Sequence, residues 1–492
     1  MFDILCCPKK KQIIMSKESQ EESISALVAQ IGGLLNQPTS PAAPQILDSK
    51  KVEEEESRLK KSVNLGKEVV PVKSWDELDL KPEIRRALVE VGFVKPSLIQ
   101  ETALPLIITH KRNVIAQAKN GSGKTASFSI GILSVVDPNI AKTQAIVLSP
   151  TRELAKQNLD VISQLGKFCG LSLQLVVPMA EGLARSPGES SGPQIISGTP
   201  GKVLELLRKK AINGKSVSMF VLDEADVMIS TENNMGVQVS NIRSLLNPNV
   251  QVVLFSATYP ESVGRFAAQI VPNAAKIQVK TTDLTLSTIW QVYIDAGPDS
   301  ANKFTILSDL YAVMNVGQSI IFVNSRSTAF ELAKKMKEIG HSVSLICGNA
   351  KNVGAEMMID PVQRDKVLDE FRNGVSKVLI STDVLARGID VPAVTLVINY
   401  ELPINYESSG GADRKSVNFE TYLHRIGRTG RFGQKGVAVN LITSNEIEKI
   451  NSIKEYYNSE IEKIESDIDV LENRLKEIET LNKSARTQAV DI

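Results

Sequence analysis

The stretch Val221-Leu222-Asp223-Glu224-Ala225-Asp226 decides the fold. An apolar run from Met219 to Leu222 ends abruptly in two carboxylates, the pattern of a short strand buried on both faces that releases a loop at its carboxyl end. Upstream lies Ala118-Lys119-Asn120-Gly121-Ser122-Gly123-Lys124-Thr125, set between the strand-like Asn113 to Ala118 and a helix-length segment. Ligands of parallel α/β sheets gather outside the carboxyl ends of the strands. The two stretches therefore place a phosphate-binding loop beside an acidic pair able to hold a metal and orient a water, which is the layout of a nucleotide hydrolase.

Other runs of the same kind flank these. Gln144 to Ser149 and Gln251 to Phe255 complete a first series, and Ser319 to Val323, Ser342 to Ile346, Lys377 to Ile380 and Val394 to Ile398 form a second. Each run is short and apolar nearly throughout, and helix-length segments separate them, so the chain reads as two tandem, similar α/β domains with doubly wound parallel sheets, the phosphate loop in the first. A length of 492 residues with 42% hydrophobic content supports two cores. The boundaries read as a tail over 1–70, domain 1 over 71–280, a linker over 281–300, domain 2 over 301–443 and a helical extension over 444–492. In the tail, rich in Ser, Gln, Pro and charge, Ile24, Leu27, Val28, Ile31, Leu34 and Leu35 share one helical face. In the extension, Ile461, Ile464, Ile468, Leu471, Leu475 and Ile478 alternate by three and four, a heptad seam barely three heptads long that either packs back onto domain 2 or joins two copies of an otherwise monomeric chain.

Composition narrows the class. The charges nearly cancel, 57 basic against 56 acidic, so contact with nucleic acid must come from local patches. The four cysteines, Cys6, Cys7, Cys169 and Cys347, have no metal-ligand spacing and no disulfide density, as expected in a reducing compartment. No run is long enough to span a membrane, and Met1 to Leu5 passes directly into Cys6-Cys7-Pro8 and three lysines without the apolar core of a secretory signal. A cytosolic or nuclear protein is expected.

The motifs assign chemistry residue by residue. Gly121, Ser122 and Gly123 let backbone amides wrap phosphates, Lys124 supplies a point charge to the β and γ oxygens, and Thr125 offers a hydroxyl to magnesium. A merely glycine-rich turn would not account for the lysine and threonine. Asp223 reads as the magnesium carboxylate, acting partly through water, and Glu224 as the group that aligns or deprotonates the attacking water. Ser256-Ala257-Thr258 closes another strand of the same sheet and would bring hydroxyls near Asp226, coupling nucleotide state to closure. Phe93 and Gln100 offer an aromatic face and a side-chain amide that can select an adenine edge. In domain 2, His424-Arg425-Ile426-Gly427-Arg428-Thr429-Gly430-Arg431 concentrates guanidinium groups suited to phosphate oxygens. Arg428 and Arg431 read as fingers for a γ-phosphate, while a surface role toward RNA phosphates is the reading for Arg425.

Taken in order with Pro150-Thr151-Arg152-Glu153-Leu154, Thr199-Pro200-Gly201 and Ala386-Arg387-Gly388-Ile389-Asp390, these motifs resemble the DEAD-box RNA helicases over about residues 71–443. The resemblance implies two RecA-like domains that close over ATP and single-stranded RNA and separate short duplexes locally. It also implies that Phe93 stacks on adenine, that Gln100 reads its edge and that Asp390 faces the ribose. It places Thr151, Arg152, Thr199, Gly201, Arg326, Gln363, Arg364, Thr382 and Arg387 along the RNA path, with Ser256, Thr258, Asp226 and His424 coupling the two sites. RNA contacts are then mostly to phosphate and 2′-hydroxyl, with weak sequence preference.

Within the family, Leu173 to Pro178, Ile270 to Ala274 and Thr421 to Gly433 resemble the branch that acts in messenger-RNA export at the cytoplasmic face of the nuclear pore. That branch implies a messenger ribonucleoprotein substrate, a nucleoporin and an inositol-hexakisphosphate-bound activator as partners, and a tail that restrains ATP turnover. The sequence departs from the family at Cys347-Gly348-Asn349, at Lys119-Asn120, at Lys202, in the length of Ala350 to Pro361 and in the extension after about 458. Two other readings stay open at this point: an ATP-gated RNA clamp with little turnover, and a helicase of translation initiation.

Overall fold

A computed structural model describes residues 70–490, apart from 119–120, 180–191, 230–233, 278–287, 314–316, 348–360, 384–390, 392, 406–415, 431–433 and 465–467. The tail, with its candidate helix, lies outside the described residues, as do Lys119, Asn120, Arg387, Asp390 and Arg431.

The first lobe holds strands β1 (Val114–Gln117), β2 (Ala145–Leu148), β3 (Leu173–Val176), β4 (Ile195–Gly198), β5 (Met219–Leu222), β6 (Gln251–Ser256) and β7 (Ala275–Ile277). Its helices include α1 (Pro82–Val91), α2 (Leu98–Leu104), α3 (Lys124–Val135), α4 (Arg152–Leu165), α5 (Pro200–Arg208), α6 (Ala225–Ile229), α7 (Met235–Leu245) and α8 (Glu261–Ile270). The second lobe holds β8 (Ile289–Asp295), β9 (Gln318–Phe322), β10 (Val343–Ile346), β11 (Val378–Ser381), β12 (Val394–Asn399), β13 (Gly436–Ile442) and β14 (Glu462–Lys463). Its helices include α9 (Asn302–Val313), α10 (Arg326–Glu338), α11 (Pro361–Arg372), α12 (Phe419–Ile426), α13 (Ile447–Tyr457) and α14 (Ile468–Val490).

Both sheets have seven strands, in the orders β3-β4-β2-β5-β6-β1-β7 and β10-β11-β9-β12-β13-β8-β14. Subtracting seven from each label of the second gives the order of the first, so the two lobes repeat one topology. Every ladder is parallel. Alternate residues of each strand feed opposite faces, and each face meets helices. In the first lobe Ala116, Val147, Val221 and Phe255 join one core with Phe128 and Ile132 of α3, while Ile115, Ile146, Phe220 and Leu254 join another with Val203 of α5 and Ile242 of α7.

Two boundary readings need correction. Ile289–Asp295, placed in the linker, is β8, a full strand inside the second sheet, paired with β13 from Gly436 to Ile442. Gln291 interrupts the apolar run and so masked a strand whose Ile289, Val292, Tyr293 and Ile294 are buried. After residue 444 the chain is not purely helical either, because Glu462 and Lys463 pair with Val292 and Tyr293 as the edge strand β14.

The heptad seam is spent inside the chain. Ile464, Leu471, Leu475 and Ile478 pack in the same core as Val292, Val437 and Val439 of the second sheet, and Ile461 packs with Tyr293 and Tyr457. Asn482, one turn past the last seam residue, accepts from the Lys435 amide at 2.8 Å and donates to its carbonyl at 2.9 Å. This two-point grip satisfies both backbone groups just before β13. Asn482→Ala should cost about 1 to 2 kcal/mol and speed amide exchange at Lys435, with exchange in the α1 region of the first lobe unchanged.

Where α13 begins, Glu446 gathers Lys303 at 3.0 Å, Lys449 at 3.0 Å and the Thr443 amide at 3.1 Å. Burial alone would raise its carboxyl, but the two ammonium groups and the amide outweigh burial and hold it at about 2. A carboxyl lowered in the folded state stabilises above its unfolded value of 4.5, and that stability is lost as pH falls toward the folded value. In urea melts near neutral pH, Glu446→Gln should lower stability by about 2 kcal/mol, allowing for partial exposure, and the gap to the wild type should close as the pH is brought down toward the folded value.

Candidate active site

The carboxyl ends of β1, β2, β5 and β6 line up, since Gln117 pairs with Ser256, Leu148 with Leu222, and Leu222 with Leu254. The loops that leave them carry the phosphate loop, Ser149, Asp223 to Asp226, and Thr258. Parallel strands thus converge on one edge the residues that the sequence singled out.

Gly123 adopts φ +99°, and a Cβ there would stand 2.7 Å from Gln100 Nε2, so both backbone and space require glycine. Gln100 is the hinge of this corner. Its Oε1 accepts from the Ser97 amide at 2.8 Å, its Nε2 donates to the Gly123 carbonyl at 3.3 Å, and the Ser97 hydroxyl donates to the Ser122 carbonyl at 2.8 Å. The capping box of α2 is therefore also the clasp of the phosphate loop. Phe93 is half-buried against the same core, and its carbonyl accepts from the Trp75 indole at 2.8 Å.

Lys124, only 7% exposed, opens α3. Burial pushes its ammonium down, and the carboxylates of Asp223, Glu224 and Asp226 only partly restore it, while Arg428 of the other lobe adds to the lowering. Asp223 Oδ2 accepts from Asn158 Nδ2 at 2.8 Å and Oδ1 from the Glu224 amide at 3.1 Å. Burial lifts the Asp223 carboxyl to about 6 despite the nearby Lys124. Glu224 is 4% exposed, carries a left-handed backbone (φ 51°), and its Oε2 is buried without a hydrogen-bond partner. A non-glycine residue in that region is strained by roughly 1 to 2 kcal/mol, a cost met where the turn must aim a side chain.

Asp226 joins the lobes. Its Oδ2 accepts from the Thr258 hydroxyl at 2.6 Å and amide at 3.3 Å and lies 3.1 Å from His424 Nε2, while Ser256 Oγ accepts from its amide at 3.4 Å. Burial would raise this carboxyl, yet His424 and the Thr258 hydroxyl hold it well below the usual range. Arg428 is buried and donates from Nε to the His424 carbonyl at 3.0 Å. The four residues read as coupling groups, Ser256, Thr258, Asp226 and His424, are thus brought together.

A second contact between the lobes runs from α4 to α11. Arg152 donates to Asp365 at 2.9 and 3.2 Å and also to the Pro178 carbonyl, Arg364 approaches Glu153 at 3.9 Å, and Lys156 approaches Asp369 at 3.6 Å. Thr151 caps α4 by accepting from the Leu154 amide at 3.2 Å, Thr199 occupies the N-cap position of α5 without a side-chain capping bond, and Gly201 is exposed beside Gln238. Arg326 starts α10, Gln363 is exposed on α11, and Thr382 is buried past the end of β11. Of the residues placed on the RNA path, Arg152 and Arg364 take part in this contact through Asp365 and Glu153, the other described ones stand on separate elements, and Arg387 lies outside the described residues.

Arg425 is a correction. It is 0% exposed, and its guanidinium donates to Asp383 at 2.6 Å, Asn324 at 2.8 Å, the Glu401 carbonyl at 2.7 Å and Asn399 at 3.3 Å. It ties three strand ends of the second sheet together and does not face RNA. Asn158, at 0% exposure, escaped notice altogether; the one signal was a polar residue inside the buried stripe Leu154, Ala155, Ile162, Leu165 of α4.

The DEAD/DEAH box helicase model matches residues 97–266, and the helicase conserved C-terminal domain matches 302–433. An ATP-dependent RNA helicase DBP5 of Scheffersomyces stipitis is 45% identical over 399 residues, covering 80% of this chain and 75% of that one. The chain belongs to the DEAD-box ATP-dependent RNA helicases. This DEAD-box chain also superposes on Saccharomyces cerevisiae Dbp5 bound to RNA and ADP BeF3, with a TM-score of 0.76 and 41% identity over 83% of this chain and 100% of that one. A Dbp5 variant bound to Nup159, a Gle1 variant, IP6 and ADP matches at a TM-score of 0.58 and 38% identity, over 82% and 100%. As an ATP-dependent helicase with two RecA-like lobes, the chain draws on nucleotide.

The Arg152–Asp365 bridge is only 15% and 21% exposed at its side chains, so it should contribute to lobe closure. In a double-mutant cycle of Arg152→Ala and Asp365→Ala, read by energy transfer between lobe-attached dyes without RNA, a coupling of about 1 to 2 kcal/mol is expected. Strict additivity would show that the bridge does not hold the lobes.

Proposed function

We propose that the chain is an RNA-stimulated ATPase that remodels RNA–protein contacts and short RNA duplexes during messenger-RNA export at the nuclear pore. The observation that carries the enzymatic part is the Glu224 carboxylate, buried and strained at the end of β5, with Oε2 partnerless in a pocket of charge shared by Lys124, Asp223 and the arginine of the facing lobe. A purely structural glutamate would not be held in a left-handed turn with an unsatisfied oxygen.

In this reading Lys124 and the loop amides of Gly121, Ser122 and Gly123 bind the phosphates, Phe93 stacks on the base, Gln100 recognises its edge and Asp390 faces the ribose. Glu224 orients the attacking water and takes its proton. Arg428 and Arg431 stabilise charge on the transferring phosphoryl group, and the 3.0 Å bond from Arg428 to the His424 carbonyl supports this by tying it to the Asp226 contact that forms only with the lobes together. A magnesium ion fits the donor set, because the Thr125 hydroxyl and the Asp223 carboxylate are hard oxygen ligands and the buried acidic pair gains from a counter-charge. When bound with nucleotide, magnesium would neutralise the β and γ oxygens.

The path for RNA follows Thr151, Arg152, Thr199, Gly201, Arg326, Gln363, Arg364, Thr382 and Arg387. Arg152 and Arg364 are engaged with carboxylates between the lobes, so RNA phosphates would share or exchange these partners. The relative bound to Nup159, a Gle1 variant and IP6 supports a nucleoporin and an inositol-hexakisphosphate-bound activator as partners; in this reading the chain acts at the cytoplasmic face of the pore and its tail restrains turnover.

Glu224→Gln should lower RNA-stimulated kcat by about a hundredfold or more while ATP-dependent RNA binding, read by fluorescence anisotropy, is retained. Hydrolysis at the wild-type rate in that variant would remove Glu224 from the chemistry.

A further inference from the structure

Asn158 touches the site from behind. It is wholly buried on α4, flanked on the same face by Leu154 and Ile162, and no role assigned so far uses it. Its Nδ2 donates to Asp223 Oδ2 at 2.8 Å and to Ser149 Oγ at 3.0 Å, and its Oδ1 accepts from Thr125 Oγ1 at 3.5 Å.

The orientation of this amide is fixed by chemistry. An ionised carboxylate only accepts, so the nitrogen must face Asp223, and the oxygen is thereby turned to Thr125, whose hydroxyl hydrogen can meet it. Two consequences follow. The Thr125 hydrogen is drawn inward, which leaves the oxygen's lone pairs directed away from Asn158. One oxygen of Asp223 is fixed by Asn158 while the other is fixed by the Glu224 amide, so the carboxylate plane cannot turn. A leucine at this position would leave a buried carboxylate with one donor fewer, and a carboxylate would set two negative charges against each other.

We propose that Asn158 is a positioning residue that locks the phosphate-loop hydroxyl to the acidic-strand carboxylate and so presents both to the divalent cation that accompanies the nucleotide. The inference rests on the reading of Thr125 and Asp223 as the cation's protein ligands. Asn158 does not contact nucleotide or cation; it sets the direction of two groups that do. Partners of this kind behind a metal ligand change metal affinity by about ten- to a hundredfold when removed.

The test measures equilibrium binding of a fluorescent ADP analogue to the full chain in excess magnesium and in excess EDTA. Wild type, Asn158→Leu and Asn158→Ser are compared, with Thr125→Val and Asp223→Asn as controls. For Asn158→Leu the affinity in EDTA should equal that of the wild type, while the gain on adding magnesium should fall about tenfold. Serine keeps a hydroxyl but cannot span both partners, so its gain should lie between the two. Should the leucine chain fail to give a cooperative melt, the serine variant decides by the same comparison. A full magnesium gain in the Asn158 variants, with the gain lost in the controls, overturns the inference and leaves the ligand assignment standing. Equal weakening with and without magnesium also overturns it, because a merely structural residue behaves that way. If Thr125→Val and Asp223→Asn keep the wild-type gain, the ligand assignment itself falls, and the inference with it.

Discussion

The Asp226 carboxylate is the contact on which the arrangement of the two lobes depends. A buried carboxylate is costly unless several donors surround it. Here Thr258 supplies two from the first lobe and His424 approaches from the second. Removing either lobe's contribution strands the charge, so the geometry favours both together. His424 in turn holds Arg428 through its carbonyl, and the charge of Arg428 reaches Lys124. One side chain thereby connects lobe position to the charge environment of the phosphate loop. Allosteric coupling needs an element that both sites bias, and this carboxylate is bonded from both lobes.

The repeated strand order gives this coupling its frame. Because both sheets are parallel and share one topology, each lobe presents the carboxyl ends of its strands as a functional edge. The first edge carries a phosphate loop and acids. The second carries arginine and histidine from α12, which Arg425 anchors to Asn324, Asp383 and Asn399 at three strand ends. The anchoring arginine and the arginine facing the site lie three residues apart, one turn of chain serving support and chemistry at once.

Most of the frame was legible in the sequence because strands buried on both faces are nearly uninterrupted apolar runs, as in Met219–Leu222 and Val394–Asn399. Strands with mixed surroundings were not: β8 is broken by Gln291, whose side chain accepts from the Tyr422 hydroxyl at 2.9 Å, and β14 has two exposed charged residues that only the ladder defines. The seam of α14 showed its spacing but not its target, since a heptad face looks the same whether it meets a sheet or another helix. At the site, contiguous signatures such as Gly121 to Thr125 and Asp223 to Asp226 were readable because their chemistry is local. Arg425 was misjudged because its burial depends on partners 24 to 101 residues away. Asn158 was invisible for the same reason, since its meaning comes from Asp223, 65 residues downstream.

The electrostatics of the cleft explain why so much machinery is held by neutral groups. Burial works against both signs of charge, lifting Asp223 to about 6 and lowering Lys124, so neither is at ease in the protein alone. Besides the attraction of Lys124, Asp223 is fixed by an amide from Asn158 and a backbone amide, neutral donors that orient the carboxylate. The chain fixes the phosphate loop through Gln100 and Ser97 in the same way. In the proposed function, nucleotide and its counter-ion would bring opposite charges into the cleft and relieve a desolvation cost already present in the fold. Lobe closure would draw on that relief, with the Asp226–His424 contact as the link between the lobes.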